Sequence, residues 1–394
     1  GFCYFKRRSR EAFYKTGFIM MIPYGKQTID EDDINSVIET LKSSWLTTGP
    51  KVKEFEEKFA TRVKSKYAIV VSSGTAALHL ACLAAGLGKT DELITSPISF
   101  AASANCALYC NAKPVFVDIK DNGLINEKLI EEQITSKTKI LIPVHYTGNV
   151  CNMNRIKQIA DKYNLKVIED ACHALGSEFY DTTVGACSYS DMTVFSFHPV
   201  KHITTGEGGM ITTNSKELYE KLIKLRNHGI TKEPSKLFNS SQEPWYHEIQ
   251  ELGYNYRLTD FQCALGINQL EKLDDFIKRR RKIAKKYDSA FHDIDSIETL
   301  EIETKVKSSY HLYVIKVNDS KTRLDLFNNL QKNGIICQVH YIPVYYHPYY
   351  QSLGYNKGLC PEAEKFYERI ISIPLYPQLD KEQQEHIIKI IRGF

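Results

Sequence analysis

Short apolar segments recur along the chain between Ala68 and Thr213, and stretches with a helical pattern separate most of them. Seven segments stand out: AIVV, ELITS, PVFVDI, KILIPV, KVIED, MTVFSF and GGMITT. Several are apolar almost throughout, so we expect strands that are covered on both faces. The intervening stretches TAALHLACLAAGLG and MNRIKQIADKYNL predict helices. Strands that alternate with helices indicate an α/β domain with a mainly parallel, seven-stranded sheet.

The pattern changes after Thr213, where KELYEKLIKLRNHGI predicts a helix and a polar, aromatic loop region follows. The segment LTDFQCALGINQLEKLDDFIKRRRKIAKKYDSAF has one long helical pattern, which predicts a bridge to a second domain. From about Ala290 onward, HLYVIKV, RLDLFNNLQKNG and IICQVHY predict strand, helix and strand of a small C-terminal α/β domain. We therefore expect a large domain over residues 21–265, followed by a bridging helix and a small domain over 266–394.

Residues 1–20 are basic and aromatic and lack the continuous apolar core of a signal peptide. The globular pattern begins at Met21, with MIPYGKQTIDEDDI. The hypothesis is that residues 1–20 are an upstream or non-native extension.

Composition narrows the class of protein. The length of 394 residues favours two domains, and 51 Lys and Arg against 47 Asp and Glu is too small an excess to indicate nucleic-acid binding. The 10 cysteines show no CxxC spacing, which is typical of reduced thiols in a cytoplasmic protein. There is no apolar run of about 18 residues, so we predict no membrane span. His145, His173, His198 and His202 lack zinc-like spacing, so we predict no metal site.

A candidate anion site lies in VVSSGTAALHLA, where a predicted strand ends and a helix begins at once. A helix N-terminus presents free N–H groups and a positive dipole end. Gly74 permits close backbone approach, and Ser73 and Thr75 can add hydroxyl donors. An ordinary helix cap explains the same residues. The segment matches neither GxGxxG nor GxxxxGK[ST], so dinucleotide and Walker-type sites have little support.

Two further groups follow predicted strands. Asp170 ends the strand KVIED, where a carboxylate could hold a protonated ring nitrogen or simply cap a turn. Lys201 comes five residues after Ser196 and five before GEGG, and an unprotonated lysine can form a Schiff base with an aldehyde. Alone, Lys201 would be a surface lysine.

Together, a phosphate site, a carboxylate and a lysine at strand ends of one sheet are what pyridoxal phosphate requires. Phe100, in SPISFAASANC, could stack on the cofactor ring, although by itself it predicts core packing.

Seven motifs extend this pattern along the chain: WLTTGP, SSGTAAL, EDACHALG, SFHPVKHITTGEGG, RNHG, GYNYRLTD and VHYIPV. With them the chain resembles the sugar aminotransferases of the DegT/DnrJ/EryC1/StrS family, from about Ile22 to near the C-terminus. The resemblance implies the fold of type I pyridoxal phosphate enzymes. Within the family, EDACHALG and SFHPVKHITTGEGG are most similar to members of pseudaminic acid biosynthesis.

The resemblance implies roles for these residues. Lys201 would form the Schiff base and shuttle the proton, and Asp170 would pair with the pyridinium nitrogen. His173, where many relatives carry Gln, would contact the ring hydroxyl, and Phe100 would stack on the ring. The phosphate would be held by a group that includes a residue of the neighbouring subunit, which implies a homodimer with shared sites: Gly74, Thr75, Ser196 and, from the partner, Asn255.

Other polar and aromatic residues are candidates for sugar or diphosphate contacts, and each could equally be a satisfied group on a loop. One set precedes the first predicted helix: Trp45, Leu46 and Thr47. The other lies further along the chain: His228, Arg257, His340 and Tyr341.

We therefore expect a cytoplasmic, homodimeric aminotransferase that transfers an amino group from L-glutamate to C4 of a UDP-linked 4-keto-6-deoxy-N-acetylaminohexose. Related dehydratases carry histidine in place of the lysine, and the spacing from Ser196 favours transamination. Two alternatives stay open. One is a different 3-keto or 4-keto nucleotide sugar, and the other is a non-catalytic, cofactor-binding regulatory protein.

Overall fold

The computed structural model of the protein describes residues 21–239 and 243–394. The hypothesis about residues 1–20 lies outside the described residues.

The centre of the fold is a seven-stranded sheet, and its strands coincide with the seven apolar segments of the sequence. They are β1 (Tyr67–Val71), β2 (Glu92–Thr95), β3 (Lys113–Phe116), β4 (Thr138–Ile142), β5 (Lys166–Asp170), β6 (Met192–Ser196) and β7 (Gly209–Thr213). The spatial order is β1-β7-β6-β5-β4-β2-β3. Strand β7 is antiparallel to both of its neighbours, and the other pairings are parallel. The predicted mainly parallel α/β sheet is confirmed.

Apolar side chains cover both faces of this sheet, which explains why its strands are apolar without alternation. Along β6, Val194 faces one core cluster and Phe195 faces the other. The helices that supply the cover are amphipathic or wholly apolar. The helices of the described residues, including those of the C-terminal part, are α1 (Glu31–Lys42), α2 (Pro50–Val63), α3 (Gly74–Ala84), α4 (Ala102–Tyr109), α5 (Met153–Tyr163), α6 (Lys216–Arg226), α7 (Asp260–Glu271), α8 (Leu273–Phe291), α9 (Ser320–Lys332), α10 (Pro348–Ser352), α11 (Pro361–Arg369) and α12 (Lys381–Arg392).

A second, smaller antiparallel sheet lies in the C-terminal part of the chain. Its order is β8-β9-β10, from the strands β8 (Ile297–Thr299), β9 (Tyr313–Val317) and β10 (Ile370–Ile373). The remaining strands are two residues long: Glu178–Phe179, Thr182–Thr183, Ile230–Thr231, Glu248–Ile249 and Val306–Lys307. A separate core cluster joins the small sheet to α8, α9 and α12, and Ile22 belongs to it. The division at residue 265 stays a prediction.

Three local predictions are wrong. The segment IICQVHY is not a strand of the small sheet, because it makes only single bridges, from Ile335 to Ile22 and from Gln338 to Ser372. The strand β10, which the pattern did not indicate, takes that place beside β9.

The long helical pattern is two helices, which meet at Lys272 (φ −89°, ψ −4°). The Lys272 ammonium lies 3.1 Å from Asp33 of α1, and this ion pair holds the chain where α7 ends.

Trp45, Leu46 and Thr47 do not precede the first helix, because α1 comes before them. The start of α1 is favoured by a capping box, in which the side chains of Asp30 and Asp33 accept from each other's backbone N–H groups at 3.1 Å.

Candidate active site

The predicted chemical groups meet at one edge of the large sheet. Asp170 is the last residue of β5 and Ser196 is the last residue of β6, and these strands are parallel neighbours. Lys201 follows β6 by five residues, in a tight turn held by a hydrogen bond from its backbone N–H to the His198 carbonyl at 2.8 Å. Ligands of open α/β sheets bind beyond the carboxyl ends of the strands, and the three groups lie there.

The predicted phosphate site is built from the start of α3 and the end of β6. Ser73 caps α3, since its hydroxyl accepts from the Ala76 N–H at 3.1 Å. A Cβ atom on Gly74 would lie 2.9 Å from the Ser196 Cβ, so only glycine allows this approach. Thr75 is half-buried in the first turn, where backbone N–H groups have no partner within the helix. The residues form a cradle of donors suited to a phosphate.

The Asp170 carboxylate is buried and held by two donors. The Ser103 hydroxyl donates to Asp170 Oδ2 at 2.5 Å, and the Cys172 backbone N–H donates to Oδ1 at 3.2 Å. The alternative reading of Asp170 as only a turn cap accounts for the Cys172 contact but not for Ser103. Ser103 lies in the first turn of α4, and sequence reasoning missed it. A hydroxyl three residues after Phe100, past the end of β2, is the signal that could have identified it.

Lys201 is half-buried, which sets it apart from a surface lysine. Burial lowers the pKa of its amine, against the opposing effects of Cys172 and Asp170. A lowered pKa increases the fraction of unprotonated amine, and only that form attacks an aldehyde.

His173 is buried behind the site and contacts other rings. Its Nε2 lies 3.1 Å from the Tyr341 hydroxyl, and its ring centroid lies 4.3 Å from that of His311. Burial, with Lys201 as the next cause, lowers the pKa of His173 well below its usual range, so the ring is neutral. Its Nδ1 is buried without a hydrogen-bond partner among the described residues.

Phe100 is 56% exposed, so the core-packing alternative is wrong. The centroid of its ring lies 6.4 Å from that of Tyr341, which belongs to the C-terminal part of the chain. An exposed aromatic ring at this position suits a planar ligand.

The candidate substrate residues fall into three places. His340 and Tyr341 lie at the site itself, where His340 Nδ1 is 2.8 Å from the Ser372 hydroxyl. Burial lowers the pKa of His340 to about 3. The Tyr341 hydroxyl is hydrogen-bonded to His173, a contact that the sequence did not predict.

The second place is formed by residues 227–228 and 254–257, on either side of the two-residue strand Glu248–Ile249. Arg257 Nη1 donates to Asn227 Oδ1 at 2.8 Å, and the His228 N–H donates to the Tyr254 carbonyl at 3.0 Å. Asn255 is exposed, and its backbone forms a single antiparallel β-bridge with Asn227. The Tyr256 carbonyl accepts from the Ser72 N–H at 2.9 Å, so this segment lies beside the start of α3.

The third place is the exposed loop between α1 and α2, which carries Trp45, Leu46 and Thr47. Thr47 bridges Thr259, and the Leu46 carbonyl accepts from the Asp260 N–H at 3.0 Å. These contacts place the loop at the start of α7.

Over residues 21–239 and 243–394, no group of three or more His, Cys, Asp or Glu side chains is arranged to hold a metal ion. In the same residues, every helix is too short or too polar to cross a membrane.

The residues present fit pyridoxal phosphate. The cradle at Gly74 is closed to any Cβ, a buried carboxylate ends β5, the Lys201 amine has a lowered pKa, and Phe100 presents an exposed ring.

Comparison with known proteins agrees with this geometry. Residues 27–392 match the model of the DegT/DnrJ/EryC1/StrS aminotransferase family. The spore coat polysaccharide biosynthesis protein SpsC of Bacillus subtilis is 41% identical over 94% of this chain and 96% of the relative. The UDP-4-amino-4,6-dideoxy-N-acetyl-beta-L-altrosamine transaminase of Campylobacter jejuni is 42% identical over 91% of this chain and 94% of the relative.

Solved structures show the same fold. Helicobacter pylori PseC, an aminotransferase involved in the biosynthesis of pseudaminic acid, superposes with a TM-score of 0.88 at 34% identity over 95% of this chain and 98% of that chain. The PLP form of the sugar aminotransferase Spr1654 of Streptococcus pneumoniae gives a TM-score of 0.88 at 33% identity, over 95% and 98% of the two chains. The chain therefore belongs to the DegT/DnrJ/EryC1/StrS aminotransferase family, as a sugar aminotransferase that uses pyridoxal phosphate.

Proposed function

We propose that this enzyme transfers an amino group from L-glutamate to C4 of a UDP-linked 4-keto-6-deoxy-N-acetylaminohexose, in pseudaminic acid biosynthesis. The observation that carries the aminotransferase chemistry is the Lys201 amine, whose pKa is lowered by burial, at the same sheet edge as buried Asp170. The sugar is supported by the names of relatives at 42% and 34% identity.

We propose the following contacts with pyridoxal phosphate. Lys201 holds the aldehyde, and Asp170 faces the ring nitrogen. His173 lies on the side of the ring hydroxyl, and Phe100 covers the ring. The phosphate occupies the cradle of Ser73, Gly74, Thr75 and Ser196.

The bound cofactor supplies a ring that stabilises negative charge at the carbon from which a proton is removed. The chain supplies the proton transfer. The Lys201 amine would remove the proton from the donor's α-carbon in the first half of the reaction, and in the second half it would supply the proton that C4 of the sugar gains. The negative charge of Asp170 keeps the proton on the ring nitrogen, because an opposite charge within a few ångströms favours the charged form.

The active unit in this proposal is a homodimer. The apolar side chains of Ile34, Ile38 and Leu41 are exposed at helical spacing on α1, and Trp45 in the loop after α1 is exposed too. An apolar face of this size on one subunit is typical of an interface. The partner subunit would bring Asn255 to the phosphate cradle, and the loop of residues 45–47 with His228 and Arg257 would contact sugar or diphosphate.

We place the enzyme in the cytoplasm. All nine cysteines in the described part of the chain are free thiols, as expected in a reducing compartment.

A second sugar substrate has a specific observation in its favour. SpsC of Bacillus subtilis, a spore coat polysaccharide protein, is nearly as similar as the Campylobacter transaminase, at 41% against 42% identity. A different 3-keto or 4-keto nucleotide sugar therefore stays the alternative substrate. The non-catalytic alternative has no such observation.

The test is an absorption spectrum of the protein loaded with pyridoxal phosphate, before and after excess L-glutamate. We expect the band of the lysine-bound cofactor to be replaced by the pyridoxamine phosphate band. A panel of 4-keto and 3-keto nucleotide sugars then restores the first band with the true acceptor. A lysine-bound band that does not respond to glutamate would contradict the donor, and complete absence of the band would contradict Lys201.

A further inference from the structure

A chain of two hydroxyl groups leads into the Asp170 carboxylate. Ser103 Oγ lies 2.5 Å from Asp170 Oδ2, and Ser99 Oγ lies 2.6 Å from Ser103 Oγ. Ser99, Ser103 and Asp170 are 4%, 1% and 5% exposed. An ionised carboxylate only accepts, so the single hydroxyl hydrogen of Ser103 is directed to Asp170. Ser99 must therefore be the donor to Ser103.

The two serines belong to the same short segment as Phe100. Ser99 and Phe100 lie between β2 and α4, and Ser103 lies in the first turn of α4, where its backbone N–H donates to the Phe100 carbonyl at 3.2 Å. The predicted stacking ring and the hydroxyl chain are thus joined by backbone. A shift of this segment would move both groups together.

The carboxylate is oriented from two sides. Oδ2 accepts from Ser103 of α4, and Oδ1 accepts from the Cys172 backbone N–H of the turn after β5. Two donors from different elements fix the plane of the carboxylate. The Ser99 donor polarises the Ser103 hydroxyl and so strengthens the hydrogen bond from Ser103 to Oδ2.

We propose that Ser103, supported by Ser99, is a positioning residue that holds the Asp170 carboxylate aimed at the ring nitrogen of pyridoxal phosphate. The proposal rests on the proposed role of Asp170. A carboxylate that already accepts a strong hydrogen bond competes less for the ring proton, so the proton stays on the ring nitrogen. Without Ser103, Oδ2 is buried and unpaired, and the carboxylate rotates or takes the proton itself.

The test compares Ser103→Ala, Ser103→Thr and Ser99→Ala. Two properties are measured: the dissociation constant of pyridoxal phosphate, and the pH midpoint of the absorption change of the loaded protein. We expect roughly tenfold weaker cofactor binding in Ser103→Ala, since hydrogen bonds to charged groups contribute at this level. Its pH midpoint should also shift. Ser103→Thr keeps the hydroxyl and should restore both, and Ser99→Ala should give a smaller change in the same direction.

Thr40→Val is the matched control, because it removes a buried hydroxyl that bonds to the Ser36 carbonyl in α1. It should change neither property. Wild-type cofactor binding and an unchanged pH midpoint in Ser103→Ala would overturn the proposal. If Ser103→Ala does not fold, an unchanged midpoint in Ser99→Ala overturns it. Absence of the lysine-bound band in the wild type would instead refute the proposed function as a whole.

Discussion

The Tyr341 hydroxyl lies 3.1 Å from Nε2 of His173, and the two rings stack with their centroids 6.0 Å apart. Tyr341 comes from the segment between α9 and α10, whereas His173 follows β5 of the large sheet. The C-terminal part of the chain therefore reaches the site that the large sheet builds. Burial raises the pKa of Tyr341 well above its usual range, so the phenol stays protonated and can donate.

This contact predicts the outcome of Tyr341→Phe. Loss of one neutral hydrogen bond should weaken pyridoxal phosphate binding by roughly threefold to tenfold, with little change in the KM of the nucleotide sugar. Cofactor titration by absorbance and steady-state kinetics measure the two effects. Tyr349→Phe is the control, because Tyr349 lies in the neighbouring helix α10 and is 62% exposed. A raised KM for the nucleotide sugar, with normal cofactor binding, would instead indicate that Tyr341 contacts the sugar.

Lys201→Ala should abolish turnover and the lysine-bound absorption band, because no other amine in the proposed mechanism can hold the aldehyde. The half-reaction with L-glutamate, followed by absorbance, measures this. Lys53→Ala is the matched control, since Lys53 is a surface lysine whose side chain is 80% exposed. Near wild-type turnover in Lys201→Ala would defeat the assignment.

Gly74→Ala should weaken cofactor binding by about tenfold or more, because the new Cβ would meet the Ser196 Cβ at 2.9 Å inside the phosphate cradle. Equilibrium dialysis with pyridoxal phosphate gives the dissociation constant. Gly88→Ala is a control with the same chemical change, since its Cβ would meet nothing within 4 Å. Equal affinities of the two variants for pyridoxal phosphate would contradict the placement of the phosphate at the start of α3.

The proposed shared site predicts that two inactive variants complement each other. In a hybrid of Lys201→Ala and Asn255→Ala subunits, one site has Lys201 from one subunit and Asn255 from its partner, so activity should return after subunit exchange. Activity of the mixture against each variant alone measures this. A mixture of Lys201→Ala and Asp170→Ala should stay inactive, since both residues act in the same subunit. No recovery after verified exchange would place Asn255 in the site of its own subunit.

Buried histidines predict the pH dependence of stability. Burial lowers the pKa of His340 to about 3 and the pKa values of His173, His202 and His311 well below the usual range. In the unfolded chain these rings titrate near pH 6.5. Below that pH the unfolded chain therefore binds more protons than the folded chain. The free energy of unfolding should therefore fall as the pH drops below about 6.5.

Urea unfolding over a series of pH values measures this slope. His202→Asn should make the slope shallower, because it removes one of the buried rings. His292→Ala, at an exposed position, should leave the slope unchanged. Stability that does not vary with pH across this range would contradict the neutral, buried state of these rings.

Much of the large sheet could be predicted because the apolar pattern of each strand is visible in a few consecutive residues. A strand covered on both faces is apolar at every position, so the seven segments marked their strands without any knowledge of neighbours. For a related reason, the sequence also predicted that one site contains Lys201, Asp170 and Gly74. In a mainly parallel sheet, groups that follow strand ends share one edge, and their order along the chain is enough to bring them together.

Pairing across the chain was decided by the tertiary structure alone. IICQVHY and Ile370–Ile373 are both apolar, and both contribute to the core cluster of the small sheet, so only the hydrogen-bond pairing decides which of them lies beside β9. The long helical pattern is divided at Lys272, and the ion pair that this residue makes with Asp33 joins positions far apart in sequence.

The site shows the same division between local pattern and long-range contact. The sequence by itself determined the phosphate cradle, the carboxylate, the lysine and the cofactor they suit. Only the tertiary structure joined Ser103 to Asp170 and Tyr341 to His173, across 67 and 168 residues. A hydroxyl donor has no pattern of its own along the chain. Its role is set by the acceptor that folding brings within hydrogen-bond distance.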